Sequence, residues 1–170
     1  VAELIALAKA KPGTLAFASV GNGSPGHLAG ELFKLRTDTR LTHIPYRGGG
    51  PAVSDVMGGQ VPLLWVSIPA AAQFVKTGKL KALGVSTTKR LSQLPDVPTI
   101  DEAGLKGYEV TIWNGFFAPK GTPKDVVAKI GDPAFVPAVI PARTYEGQTE
   151  DVETAAILNF LVTREGLSAD

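Results

Sequence analysis

The residues best placed for chemistry lie in one short run, Ser19-Val20-Gly21-Asn22-Gly23-Ser24-Pro25-Gly26-His27. Gly21-x-Gly23-x-x-Gly26 has the spacing of a dinucleotide-binding loop, in which glycines let a pyrophosphate approach the backbone at a helix start. A simpler task suits the same residues. Backbone N–H groups at a helix N-terminus carry partial positive charge, and with the Ser24 hydroxyl they can hold any anion, a carboxylate included. In a third reading Ser24 only caps the helix and the glycines only turn the chain.

A dinucleotide site also wants an acid about twenty residues on, at the end of the next strand. Tyr46 and Arg47 stand there instead. An arginine suits a 2′-phosphate, so an NADP-binding Rossmann-like domain is the alternative reading, although Pro25 removes one backbone donor from the cradle. No Gly-Lys-Ser/Thr follows, which excludes a Walker loop. Arg47 is the best carboxylate partner, because guanidinium pairs with carboxylate bidentately; otherwise it is a solvated loop cation. His27 reads as a residue that caps or packs at the helix start, and His43 as a structural or partly exposed strand residue. Trp65 and Trp113 fall on strands, where core packing is the plain reading and an aromatic wall beside a pocket the sharper one. No motif brings a nucleophile, a base and an orienting residue together, so no enzyme is expected.

The elements that must position these residues are legible from apolar spacing and punctuation. Helical spacing covers 1–11, 27–38, 51–59 and 69–79, the last two opened by proline. Strand-like runs cover 14–20, 41–46, 60–68, 80–87 and 109–119. A short helix is expected at "TIDEAG", residues 99–104, and a further helix after Thr122 as its N-cap. Strands alternating with helices predict an α/β fold with a mostly parallel sheet of five or six strands flanked by helices. Ligands in such sheets sit at the carboxyl ends of the strands. The candidate loops are then 19–26, 46–51, 67–69 and 86–90, which adds Ser67 and Ser86 to the candidate residues.

Bulk properties narrow the classes. The chain has 170 residues and a formal net charge of +1, which argues against nucleic-acid binding through a basic patch. No apolar run is long enough for a membrane span. The absence of cysteine excludes disulfides and thiolate metal sites, and two histidines without a tight carboxylate cluster make a metal unexpected. No cofactor is expected. No signal peptide is visible, and Val1 opens inside a helical pattern, so the N-terminus reads as a cut or processed end.

Four separate signatures then occur in order: Ser-x-Gly-x-Gly-Ser-x-x-His from Ser19, Pro-Tyr-Arg-Gly from Pro45, Leu-Pro-Asp-Val-Pro-Thr from Leu94, and Ala-Pro-x-Gly-Thr-Pro from Ala118. Over about residues 1–130 the chain resembles the Bug-type solute-binding proteins of tripartite tricarboxylate transporters. The resemblance implies a type II periplasmic-binding-protein lobe and a periplasmic location. It also implies a small organic carboxylate as ligand, delivered to a membrane permease. It places Ser19, Gly21, Asn22, Gly23, Ser24, Tyr46, Arg47, Ser67 and Ser86 on ligand loops. It further implies that the first lobe is missing, so that binding by this chain alone is weak or lost.

The tail departs from that pattern. Residues 140–170 resemble the TAXI-type solute receptors of TRAP transporters, and residues 131–170 are expected to add a strand and a helix start to a single domain spanning 1–170. The tail also echoes the stretch around 108–125, which suggests a chimera of two binding-protein families or an engineered scaffold without ligand. Strand-like stretches at Thr111–Ala118 and Ala156–Thr163 compete for one sheet. A displaced one would be an exposed edge inviting homodimerisation.

Overall fold

The computed structural model describes residues 1–111, 119, 121–130 and 159–163. The chain divides into two compact units, Val1–Ile112 with Ile157–Asp170, and Trp113–Ala156. The first contains α1 (Ala2–Ala10), β1 (Ala16–Ser19), α2 (Pro25–Thr37), β2 (Thr42–Pro45) and α3 (Gly49–Met57). It continues with β3 (Leu63–Ser67), α4 (Ile68–Lys76), β4 (Lys81–Val85) and, far along the chain, β5 (Asn159–Thr163), which comes after α5 (Lys124–Ile130) of the second unit.

The sheet order is β2-β1-β3-β5-β4. β1 pairs in parallel with both β2 and β3, while β5 runs antiparallel between β3 and β4. Four strands therefore point one way, as the alternation of strands and helices predicts. Their carboxyl ends share one edge of the sheet. The first four expected strands and the helices that precede and join them hold to within a few residues. The 159–163 run takes the place between β3 and β4, while residues 112–118 of the competing stretch Thr111–Ala118 lie outside the described residues.

Three local expectations change. First, α2 begins at Pro25 rather than His27, because the Ser24 hydroxyl accepts the His27 N–H at 3.2 Å and proline fits the first turn. Second, "TIDEAG" forms a single capped turn rather than a helix. Thr99 and Glu102 satisfy each other's backbone N–H groups at 3.0 Å, and Gly104 at φ 118° ends the turn. Third, Thr122 does not cap α5. Its hydroxyl donates to the Pro119 carbonyl at 2.8 Å, and the helix starts at Lys124.

The core lies between the sheet and α1 and α2. Phe17, Phe33, Leu63, Trp65, Ile100 and Tyr108 are buried in it. Trp65 and Tyr108 stack at 5.9 Å and Phe33 leans on both, so Trp65 takes the plain core role. Trp113 lies outside the described residues.

Candidate functional site

The site grows from the end of β1. Side chains alternate along a strand, so Phe17 and Ser19 share a face. That face carries α2: a Cβ on Gly30 would overlap the Phe17 ring, and one on Gly26 would stand 2.5 Å from the Trp65 carbonyl oxygen. The third glycine of the motif therefore answers to helix–sheet packing. Gly21 and Gly23 answer to the turn, with φ of 137° and 71°.

Ser19 is buried and acts as the hub of the loop. Its Oγ receives the Gly21 N–H at 3.2 Å and the Ser24 hydroxyl at 3.3 Å, and lies 3.0 Å from the Gly21 carbonyl. It also lies 2.7 Å from His43 Nε2. Asn22 and Gly23 are exposed at the tip, Gly21 and Ser24 half-buried. Gly23 N–H donates to His27 Nδ1 at 3.0 Å.

The next loop is joined to this one. Tyr46 N–H donates to the Ser19 carbonyl at 2.9 Å, and a Cβ on Gly21 would lie 3.6 Å from the Tyr46 carbonyl oxygen. The Tyr46 hydroxyl donates to Asp55 Oδ2 at 2.7 Å; burial first, then this bond, push its pKa up to about 12. The phenol therefore stays a donor, fixing the loop to α3. Arg47 is exposed beside it. Packing of Gly49 against Val20, Val66 and Ala70 brings the start of α3 against both neighbouring loops.

The remaining candidates sit further along the same edge. Ser67 ends β3 opposite Asn159, is half-buried, and makes no side-chain cap to α4. Ser86 follows β4, is buried, and its hydroxyl donates to the Val110 carbonyl at 2.7 Å. The structure thus brings the first two loops into direct contact. It turns the hydroxyls of Ser19 and Ser86 inward, toward protein partners.

Sequence reasoning undervalued the two histidines. His27 and His43 stack with centroids 4.0 Å apart, and each bonds to the 19–24 loop. The signal is the in-register pairing of Phe17 with His43, which sets His43 on the face that carries Ser19. No linear motif carries that register.

The sequence profile described as tripartite tricarboxylate transporter family receptor matches residues 1–157. The chain belongs to that receptor family. Among relatives of the receptor, a UPF0065 protein from the tcbD–tcbE intergenic region of Pseudomonas sp. (strain P51) is 46% identical over 76% of this chain and 39% of its own length. Rpa4515 of R. palustris, solved with adipate, is 39% identical with a TM-score of 0.73, covering 77% of this chain and 44% of that one. MatC of Rhodopseudomonas palustris, solved with bound malate, is 33% identical with a TM-score of 0.66, covering 77% and 45%. The receptor chain described here therefore spans less than half the length of these three relatives. Among its described residues, no helix is long and apolar enough to cross a membrane.

Proposed function

We propose that this chain is a solute-binding lobe of a periplasmic receptor that holds a small dicarboxylate for a membrane permease. The observation that carries the reading is the junction of the 19–24 and 46–48 loops at the carboxyl edge of the sheet. The exposed Asn22 tip and the glycine-rich start of α3 at Gly48–Gly50 leave backbone N–H groups there for an anion, with Arg47 beside them. In this reading the Asn22 amide at the exposed tip faces the anion, while the Gly21, Gly23 and Ser24 N–H groups, donated to Ser19 Oγ, His27 Nδ1 and the Gly21 carbonyl, hold the loop in shape for it. Tyr46 fixes the second loop, and Arg47 pairs with a carboxylate. Ser19 and Ser86 hold loops in shape from within, and Ser67 lines the far end.

Adipate and malate in the solved relatives support a dicarboxylate of four to six carbons. The relatives' greater length supports a second lobe that completes the pocket, so binding by this chain alone is weak. The nucleotide alternative finds no support in the family match. The TAXI-like and recombined reading of the tail rests on residues 140–170 alone, and the reach of the family profile to residue 157 weighs against it.

The test is thermal unfolding against adipate, malate, citrate and NADP. A ligand that binds only the folded state raises the melting temperature by mass action. The expected result is a shift with a dicarboxylate that disappears in the double variant Ser24→Ala, Arg47→Ala. A shift with NADP alone would sink the proposal.

A further inference from the structure

Two imidazoles are wired into residues 19–27, and the role assigned to them rests on the reading of that segment as a ligand loop. His27, in the first turn of α2, and His43, on β2, stack at 4.0 Å with planes 15° apart. Gly23 N–H donates to His27 Nδ1, and an accepting nitrogen carries no proton. His27 is thereby the neutral tautomer with its proton on Nε2, which lies 3.8 Å from Glu31 Oε1.

Hydrogen counting favours the neutral form of His43. A hydroxyl oxygen has two lone pairs and one proton. The lone pairs of Ser19 Oγ are taken by the Gly21 N–H and the Ser24 hydroxyl. Its own proton is then shared between the Gly21 carbonyl at 3.0 Å and His43 Nε2 at 2.7 Å. The 2.7 Å contact to Nε2 is the shorter of the two, and all four contacts are met together when that nitrogen accepts, in a neutral ring with its proton on Nδ1.

We propose that His43 is a positioning residue for the ligand loop, acting through Ser19, and that the loop keeps its anion-binding shape only while the stacked His27 and His43 rings are both neutral. A proton on His43 Nε2 gives Ser19 Oγ three donors for two lone pairs, and either Gly21 or Ser24 is released. A proton on His27 Nδ1 sets donor against donor at Gly23. Two charged rings at 4.0 Å would also repel.

The surroundings do little to relieve this. From α2, His43 feels His27, Glu31 and Lys34; from β1 it meets the Phe17 ring at 4.9 Å and Ser19. Glu31 is the one anion among these, and both its oxygens are already held by Lys34 Nζ at 2.8 Å. Burial, and then the neighbouring His27, hold His43 below the ordinary histidine value, in keeping with the geometry.

The experiment is a pH titration of the ¹⁵N-labelled chain by NMR, first without ligand and then with adipate or malate. Without ligand, the Gly21, Gly23 and Ser24 amide resonances should move with the imidazole nitrogens, while Gly48 and Gly49 in the next loop stay put. Amides that ignore the imidazoles would overturn the proposal. With ligand, affinity should fall about five- to tenfold more between pH 7.5 and 5.0 in the wild type than in His43→Gln. That variant keeps an acceptor toward Ser19 but does not titrate. Protonation of the dicarboxylate itself affects both proteins equally and cancels in the comparison. Equal profiles, or tighter wild-type binding in acid, would overturn the positioning role. If neither dicarboxylate binds at any pH, the ligand reading fails, and the ligand-free titration alone decides the histidine mechanism.

Discussion

Residues 19–27 and residues 86–110 both carry the chain away from the end of a strand, yet opposite chemistry holds them. The 86–110 connection is closed by carboxylates and buried apolar anchors. Glu102 takes the Thr99 N–H and Arg90 Nε, and Asp101 takes the Gly107 N–H and Lys106. Ile100, Leu105 and Tyr108 sink into the core, and the Tyr108 hydroxyl donates to the Ala29 carbonyl at 2.7 Å. The 19–27 loop is closed by neutral hydroxyls and imidazoles, with its glycine tip left outside. A connection closed by anions serves the fold. A loop closed by neutral groups keeps a local surface that an anion can approach.

The sharpest way to break this contrast is Gly26→Ala. The new methyl would press on the Trp65 backbone, which cannot move like a side-chain tip. We expect a loss of about 2–3 kcal/mol in urea unfolding. A cost under about 0.5 kcal/mol would mean that α2 slides freely on the sheet and does not fix the loop.

A matched pair of cap deletions comes next. Ser24→Ala and Thr99→Ala each remove a hydroxyl that satisfies an N–H at the start of a turn, and each should cost about 1 kcal/mol. The two should part in binding: only Ser24→Ala should weaken the response to adipate. Equal loss in both would erase the functional distinction between the regions.

The smallest effect is the separation of the two regions by pH. His43 is held below the ordinary histidine value of 6.5, so the folded loop takes up a proton less readily than the unfolded chain. Its contribution is complete above that value and is lost as pH falls through it toward the lower folded value. Asp101 and Glu102 are held below the ordinary carboxylate values of 3.8 and 4.5 by the N–H groups of Gly107 and Thr99 first, then by Lys106 and Arg90. Their contribution is complete above the ordinary carboxylate range and fades only in stronger acid. Amide protection, relative to the intrinsic exchange rate at each pH, should therefore fall in 19–27 once the pH drops below about 6.5, and in 99–107 only below about pH 4. Simultaneous loosening would show that one cooperative unit holds both.

Much of this arrangement is legible in the sequence, for reasons that are local. Proline and glycine punctuate the first four strands and their helices, and Ser24 ahead of Pro25 announces a helix start. Thr99 and Glu102 carry a capping-box spacing, but four residues before a glycine are too few for more than one turn. What the sequence hides is set by register. His43 reaches Ser19 because β1 and β2 align Phe17 with His43, and a shift of one residue would turn His43 to the other face. The place of β5 is hidden for the same reason. Its apolar run says strand, but not that it lies between two strands formed much earlier in the chain.

That placement has a consequence for biosynthesis. β3 and β4 are not hydrogen-bonded to each other; each pairs with Asn159–Thr163. A nascent chain emerging from the ribosome can assemble β1, β2 and β3 as soon as they appear, but β4, bridged only through Val85 to Thr99, meets its partner strand in the sheet when residue 163 is out. Throughout that interval the open side of β3 is an unsatisfied edge in a crowded cell, available to any extended peptide. The late strand thus makes completion of this sheet a matter of timing, in which a holding chaperone would have its longest window over Leu63–Ser67.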